Sequence, residues 1–288
     1  MGRAFAIGVG LNLAFVAAEV GAGLWTGSLA LLADAGHNLS DVLALLLAWG
    51  ATVLARRAPA GRRTYGLGKA TILASLANAV LLLVAVGVIA SEAAHRFREP
   101  APLNTDIVML TASLGVLING ATALLFMRGS QGDLNVRGAF LHMAADAGVS
   151  LAVVVGAFAI AMTGLLWIDP ALSLLIAGVI VLGTWGLLRD SADLALDAAP
   201  RGIDVEEVRG WLAGLPGVEA VQDLHVWALS TTETALTAYI LRPQNRDADA
   251  FLAAACEGLE QRFQIGHATL QVQTDAARAC RLVRAEVA

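Results

Sequence analysis

Long uninterrupted hydrophobic runs dominate the first part of this chain, and short runs with polar interruptions follow them. A helix needs about 20 mostly apolar residues to cross the hydrocarbon core of a bilayer. Turn-forming residues separate the long runs, as at Trp25-Thr26-Gly27-Ser28 and Glu99-Pro100. The pattern therefore predicts six transmembrane helices, at 4–25, 29–55, 70–91, 106–127, 134–163 and 169–188.

After Pro200 the pattern becomes that of a small soluble domain. Helices are predicted at 204–214 and 247–263, and strands at 218–229, 234–241 and 268–272. The order αββαβ favours an α+β layer fold, with the helices on one face of the sheet. We therefore divide the chain into two domains. Residues 1–199 are predicted to form a transmembrane domain of six helices, and residues 200–288 a small α+β domain with a short C-terminal tail.

Composition and charge agree with this division. Only 15% of the residues are charged and 57% are hydrophobic, whereas a soluble domain carries about 25% charged residues. Residues 1–199 hold 11 basic and 12 acidic side chains, and residues 200–288 hold 8 basic and 12 acidic ones. No basic patch or stripe stands out, which argues against nucleic acid as a partner.

Basic residues near the ends of the spans predict the orientation, because they are enriched in cytoplasmic loops. One set of loops and ends holds Arg3, Arg56, Arg57, Arg62, Arg63, Lys69, Arg128, Arg137 and Arg189. The opposite loops hold only Arg96 and Arg98, next to Glu92 and Glu99. Both termini, and with them the acidic tail domain, are therefore predicted to be cytoplasmic.

Two pairs of ionisable residues interrupt the hydrophobic spans. The second span contains His37 and Asp41, and the fifth contains His142 and Asp146. Each His precedes its Asp by four residues, so both side chains share one face of a helix. Two facing pairs offer two nitrogen and two oxygen ligands, the number and type that tetrahedral zinc takes. Intramembrane ionisable residues usually mark a pathway or a site, and we expect a metal site here.

Other polar residues within the spans have alternative interpretations. Asp34 either hydrogen-bonds a ligand, wets an exit path or caps a helix. Asn38 and Ser40 are candidates to orient the ligands. Glu19 and Asn78 are expected to form hydrogen bonds between helices.

The chain resembles the cation diffusion facilitator family, specifically its zinc-exporting branch. The resemblance covers nearly the whole chain and is strongest at Ser28–Asp41 (SLALLADAGHNLSD), Tyr65–Leu73 (YGLGKATIL), His142–Asp146 and Asp223–Trp227 (DLHVW). It implies a homodimer with six helices per subunit, a metallochaperone-like cytoplasmic domain and exchange of zinc for protons. It also implies that the four metal ligands are His37, Asp41, His142 and Asp146.

The tail domain departs from the family pattern. Relatives often place metal ligands at the positions that we align with Gln222, Tyr239 and Gln273, whose side chains are poor zinc ligands. A metal site in the tail is therefore in doubt. For His225 and His267 we favour structural roles over metal binding.

The ligand types predict a mechanism. Zinc binds neutral imidazole and ionised carboxylate, so its binding releases protons, and zinc/proton antiport with alternating access follows as a hypothesis. Zinc is then the transported substrate, and no cofactor is expected. Cobalt, cadmium, iron or manganese remain alternatives as the cargo.

Other functional classes fit the sequence less well. An intramembrane metalloenzyme would need a catalytic motif, and neither His-Glu-x-x-His nor Gly-x-Ser-x-Gly occurs. A metal-sensing scaffold is a third class. We expect a multi-pass protein of a bacterial inner membrane.

Overall fold

The computed structural model describes residues 3–55, 57–127, 134–244 and 247–275. Six long helices occupy the first part of the chain, in the predicted order. They are α1 (Arg3–Thr26), α2 (Leu29–Ala55), α3 (Ala70–Arg96), α4 (Thr105–Met127), α5 (Leu134–Thr163) and α6 (Ile168–Ala195). Helices α3 and α6 continue beyond their predicted ends, because their polar last turns stay helical after the apolar run stops.

Five of these helices, α2 to α6, are long and apolar enough to cross a membrane, counting only the described residues. Helix α1 has 24 residues, and its side chains are largely described from residue 12 onward. Many large apolar side chains on these helices are exposed, such as Leu125 at 80% and Leu182 at 81%. Outward-facing leucines of this kind fit a surface that is covered by lipid.

The chain divides into two compact units. The first comprises residues 1–46 and 77–186, and therefore contains most of the helical bundle. Its buried core is contributed by α2 to α6 and consists mainly of small and branched side chains: Ala30, Leu31, Ala33, Leu82, Val86, Val108, Ala112, Val153, Ala157, Ile176, Ala177 and Ile180. Small residues in such interfaces let the helix backbones approach closely.

The second unit comprises residues 47–76 and 187–288 and includes the tail domain. Its elements are α7 (Val205–Ala213), β1 (Ala220–Ala228), β2 (Thr234–Leu241), α8 (Ala248–Phe263) and β3 (His267–Gln273). The strand order is β1-β2-β3, with β1 antiparallel and β3 parallel to β2. The predicted αββαβ order and the α+β fold class are confirmed.

Local chemistry explains where the tail elements begin and pack. Asp204 caps α7, because its carboxylate accepts hydrogen bonds from the amides of Glu206 and Glu207. One apolar face of each helix packs on the sheet, with Leu212 of α7 and Leu259 of α8 completely buried.

One strand is less regular than the sequence predicts. The pairing of β1 with β2 shifts register between Gln222 and His225, and Asp223 between them has a φ of 49°. A short Asp side chain tolerates this left-handed conformation better than most residues. Alternation of polar and apolar residues does not reveal such a bulge.

Candidate metal centre

The structure brings the four predicted ligands together inside the first compact unit. His37 and Asp41 lie one turn apart on α2, and His142 and Asp146 lie one turn apart on α5. One donor atom from each residue lies within 4.8 Å of every other. No second group of three or more His, Cys, Asp or Glu residues converges in this way within the described parts of the chain.

The closest contacts in this group cross from one helix to the other. His37 Nε2 lies 3.2 Å from Asp146 Oδ1, and His142 Nε2 lies 3.2 Å from Asp41 Oδ2. The distances within each helix are longer, at 3.9 Å for His37 to Asp41 and 3.7 Å for His142 to Asp146. The two imidazole rings meet edge to face, with centroids 5.9 Å apart.

These separations can be compared with a tetrahedral zinc shell. Ligand atoms about 2.0–2.2 Å from a central ion lie about 3.3–3.6 Å from one another. The observed contacts of 3.2–3.9 Å bracket that spacing. Both histidines present the Nε2 atom of the ring to the group. A divalent cation could therefore replace the crossed hydrogen bonds with little movement of the side chains.

Exposure differs among the four predicted ligands. The side chains of His142 and Asp41 are 44% and 32% exposed, whereas that of Asp146 is only 3% exposed. His37, at 23%, is intermediate. Solvent therefore reaches the centre from the side of Asp41 and His142, and the opposite side, at Asp146, is buried.

A carboxylate from α6 fixes the start of α2, the helix that contains the predicted ligands His37 and Asp41. Asp169 accepts hydrogen bonds from the Ser28 hydroxyl at 2.6 Å, the Leu29 amide at 2.8 Å and the Ala30 amide at 3.3 Å. These amides have no partner within their own helix. The negative charge also complements the positive end of the helix dipole. The sequence pattern places residue 169 at the start of the sixth predicted span but does not reveal its contact with α2.

The polar neighbours of the ligands have partners other than those expected. Asn38 donates to Glu19 at 2.9 Å, and Ser40 accepts from Asn78 at 3.2 Å. The expectation that Asn38 and Ser40 orient the ligands is therefore not supported, because their hydrogen bonds lead to neighbouring helices. For Glu19 and Asn78 the prediction of hydrogen bonds between helices is confirmed.

Asp34 also has a partner on another helix. It accepts a hydrogen bond from Ser150 of α5 at 2.7 Å, and within the described parts of the chain no hydrogen bond joins it to a predicted ligand or to a helix end. Of the interpretations that the sequence left open, a direct hydrogen bond to a ligand and helix capping are thus not observed.

The tail residues singled out from the sequence form no comparable group. Gln222 pairs with Tyr239 across β1 and β2, while Gln273 lies at the end of β3. His225 contacts the Asp223 carboxylate at 2.9 Å, and His267 stacks edge to face on Tyr65 at 5.5 Å between ring centroids.

Membrane-length helices that enclose two imidazoles and two carboxylates define an integral membrane protein that handles metal cations. Two family models match the chain. The cation efflux transmembrane domain matches residues 5–194, and the cytoplasmic domain of cation efflux proteins matches residues 200–275. The chain belongs to the cation efflux family.

Curated relatives extend over nearly the whole chain. The cation efflux system protein CzcD of Alcaligenes sp. (strain CT14) is 34% identical over 283 residues, covering 96% of this chain and 90% of the relative. The zinc transporter ZitB of Escherichia coli (strain K12) is 37% identical over 266 residues, covering 92% and 85%. The cadmium, cobalt and zinc/H(+)-K(+) antiporter of Bacillus subtilis (strain 168) is 30% identical over 259 residues, covering 88% and 83%.

Among solved structures, the metal-bound C-terminal domain of the CzcD transporter from Cuprividus metallidurans matches 25% of this chain and 99% of its own length, at 28% identity and a TM-score of 0.23. The family assignment rests on the sequence matches. This chain is a multi-pass membrane transporter for divalent metal cations and not an enzyme.

Proposed function

We propose that this protein exports zinc from the cytoplasm and holds the ion with His37, Asp41, His142 and Asp146. One observation carries the proposal: four donor atoms, two from each of two membrane helices, lie within 4.8 Å of one another. Two nitrogens and two oxygens suit zinc. The named substrate of the ZitB relative points to the same ion.

Each ligand has a distinct place in this proposal. Asp41 and His142, the two more exposed side chains, would meet the ion first. Asp146 and His37 lie deeper and would complete the shell. Because each helix supplies only half of the ligands, a small displacement of α2 against α5 would open the shell and release the ion.

Proton exchange follows from the same ligands. The imidazoles must be neutral and the carboxylates ionised to bind zinc, so loading releases protons and protonation expels the ion. An outer compartment with higher proton activity would favour release there. The named proton coupling of the Bacillus subtilis relative supports antiport by alternating access.

The orientation is part of the proposal. Arg57, Arg62 and Arg63 are exposed and lie on the predicted cytoplasmic side. Arg56, Arg128 and the side chain of Arg3 belong to the same predicted set but fall outside the described residues. Both termini would then face the cytoplasm. The proposed location is the inner membrane of the cell.

The division into domains completes the proposal. Residues 1–199 form the transmembrane domain and residues 200–288 the cytoplasmic one. The cytoplasmic domain is proposed to pair with a second copy to form a homodimer. Zinc, protons, the lipid bilayer and this second copy are the proposed partners, and nucleic acid is not among them.

Cobalt or cadmium transport is the second candidate for the cargo. The name of the Bacillus subtilis relative includes both metals beside zinc. The ligand set contains no thiolate, which disfavours softer ions, but geometry and availability also decide selectivity.

A flux assay in proteoliposomes tests the proposal. Zinc uptake, followed with a trapped fluorescent indicator, should depend on the reconstituted protein and should be faster with an opposing proton gradient. Cobalt, cadmium, iron and manganese should be compared at equal free concentrations. Zinc flux that ignores the proton gradient would contradict antiport, and a higher specificity constant for another ion would contradict zinc as the main cargo.

A further inference from the structure

A second pair of acidic residues lies completely buried beside the metal centre. Glu19 of α1 and Asp34 of α2 are each 0% exposed. Each has one oxygen that accepts a hydrogen bond, from Asn38 and Ser150 respectively. The other oxygen of each, Oε1 of Glu19 and Oδ1 of Asp34, has no hydrogen-bond partner among the described residues.

The helix geometry places the two carboxylates next to each other. Asp34 and Asn38 are four residues apart on α2, so they share a face one turn apart. Since Glu19 accepts from Asn38, its carboxylate lies against that same face.

This acidic pair lies one helical turn away from the metal centre, and the offsets along α2 and α5 point to the same side of the membrane. Asp34 precedes His37 by three residues on α2, and its partner Ser150 follows Asp146 by four residues on α5. In the proposed orientation α2 runs inward and α5 runs outward. Both offsets therefore point toward the outer side of the membrane.

Exposure shows which side of the centre is closed. His142 is 44% exposed, Asp146 falls to 3%, and Glu19 and Asp34 reach 0%. The centre is thus open on the proposed cytoplasmic side, and the acidic pair lies in the closed part beyond it. In the proposed orientation the acidic pair therefore lies between the centre and the outer side of the membrane.

Unpaired carboxylate oxygens are costly to bury, and such groups are normally matched by a cation or a hydrogen-bond donor. No described lysine or arginine forms an ion pair with Glu19 or Asp34 in this structure. We propose that Glu19 and Asp34 form a second cation-binding position, which receives zinc from the metal centre on its way out. This inference rests on the proposed function, zinc export.

The chemistry of the acidic pair suits a site that binds the ion transiently. It offers carboxylate oxygens, and the amide oxygen of Asn38 and the hydroxyl of Ser150 are neighbours. Because no imidazole is present, zinc is held less tightly than at the centre. A weaker position one turn away lets the ion leave its four ligands stepwise instead of all at once.

Kinetics in proteoliposomes provide the first test. In Glu19→Gln the side chain can still accept a hydrogen bond from Asn38, so the fold is retained while the charge is lost. Maximal zinc flux should fall about tenfold, which corresponds to about 1.4 kcal/mol on the exit step. The KM for zinc and the zinc affinity of the centre should not change.

Two further variants show whether charge is the cause. Glu19→Asp keeps a carboxylate and should restore most of the flux. Asn119→Ser changes another buried polar residue, on α4, and should transport like the wild type. Wild-type flux in Glu19→Gln, or an equal loss in Glu19→Asp and Glu19→Gln, would overturn the proposal.

Carbodiimide labelling tests zinc binding at the acidic pair directly. Dicyclohexylcarbodiimide modifies carboxyl groups within membranes, and the adduct on Glu19 is measured by mass spectrometry. Zinc in the outer compartment should lower this labelling several-fold. It should do so in the wild type and also in Asp41→Ala, where the metal centre is broken. Labelling that zinc never changes, or changes only with an intact centre, would refute the second position. Failure of wild-type zinc transport would instead refute the proposed function, whatever the labelling shows.

Discussion

His37 Nε2 lies 3.2 Å from Asp146 Oδ1 on α5, closer than it lies to Asp41 on its own helix, at 3.9 Å. The equivalent contact on the other side joins His142 to Asp41 at 3.2 Å. Two imidazole–carboxylate pairs therefore connect α2 to α5. A cation at the centre would replace two contacts between the same two helices, so metal occupancy and helix arrangement are coupled.

Removal of either carboxylate should abolish transport. In Asp41→Ala or Asp146→Ala the centre loses one proposed ligand, and one imidazole loses its carboxylate partner. We expect zinc affinity to fall by at least about a hundredfold, since loss of a mere neighbour of a ligand already costs 10–100-fold. Zinc binding to the purified protein and flux in vesicles measure the effect.

Asp106→Asn is the matched control for this prediction, because Asp106 is an exposed acid in the first turn of α4. It should transport normally. Monodisperse elution of each variant would show that the protein still folds. Normal flux in both alanine variants would defeat the assignment of the site.

Asp169→Ala should weaken transport without touching a ligand. The change removes three hydrogen bonds at the start of α2, and loss of a helix cap typically costs about 1–2 kcal/mol. We expect a lower melting temperature for the detergent-solubilised protein and a several-fold lower zinc flux. Asp169→Asn, which keeps one acceptor oxygen, should lie between the alanine variant and the wild type.

Asp193→Asn removes an exposed acid of the same helix and serves as the control. It should leave both melting temperature and flux unchanged. If Asp169→Ala melts and transports like the wild type, the contact with α2 has no role in holding the centre.

The helices and the four proposed ligands could be predicted from the sequence because both follow from short-range rules. A membrane span is a local property of about 20 consecutive residues. The spacing of His37 and Asp41, and of His142 and Asp146, fixes a shared face within one helix. When two such faces approach each other, each imidazole gains a carboxylate partner in an apolar surrounding, as the contacts between α2 and α5 show.

Contacts between distant helices could not be predicted in the same way. Ser28 and Asp169 are 141 residues apart, and nothing in their local sequence distinguishes Asp169 as a cap for another helix. Spacing also cannot tell which neighbour a polar face meets. Asn38 was therefore expected to support a ligand, although its amide reaches Glu19 on α1.

A pair of glycines in the tail domain should respond to alanine in opposite directions. A Cβ at Gly258 of α8 would lie 2.3 Å from the ring of Trp211, whereas a Cβ at Gly210 of α7 would meet nothing within 4 Å. Gly258→Ala should destabilise the tail domain by about 1–3 kcal/mol through overpacking. Gly210→Ala should stabilise it by up to about 1 kcal/mol, since alanine favours a helix.

Hydrogen–deuterium exchange of the intact protein can follow both changes through the amides of α7 and α8. Faster exchange in Gly258→Ala together with slower exchange in Gly210→Ala is the expected result. Equal exchange in the two variants would show that Trp211 moves aside without cost.

Arg242 is nearly buried and connects several parts of the tail domain. It is 6% exposed, its Nε donates to the Pro216 carbonyl at 3.0 Å, and its guanidinium lies 4.4 Å from the centre of the Phe251 ring. Its Nη1 also lies 2.7 Å from the carboxylate of Asp247, which is 60% exposed. The hydrogen bond from Arg242, followed by a backbone hydrogen bond, lowers the pKa of Asp247 below its ordinary value of 3.8.

Substitutions of these two residues should therefore differ in effect. Arg242→Ala should cost about 2–3 kcal/mol of tail-domain stability, because it removes the packing of a nearly buried side chain together with its hydrogen bond to the Pro216 carbonyl. Asp247→Asn should cost much less, since an exposed ion pair contributes little. Because the folded state lowers the pKa of Asp247, the contribution of this carboxylate is present above pH 3.8 and is lost as the pH falls through the lowered value. The free energy of unfolding of the tail domain can be measured by urea unfolding followed by exchange of the β2 amides. The difference in this free energy between Asp247→Asn and the wild type should be the same at pH 6 and pH 8. If the stability difference between the two proteins changes between pH 6 and pH 8, the ion pair is not its cause.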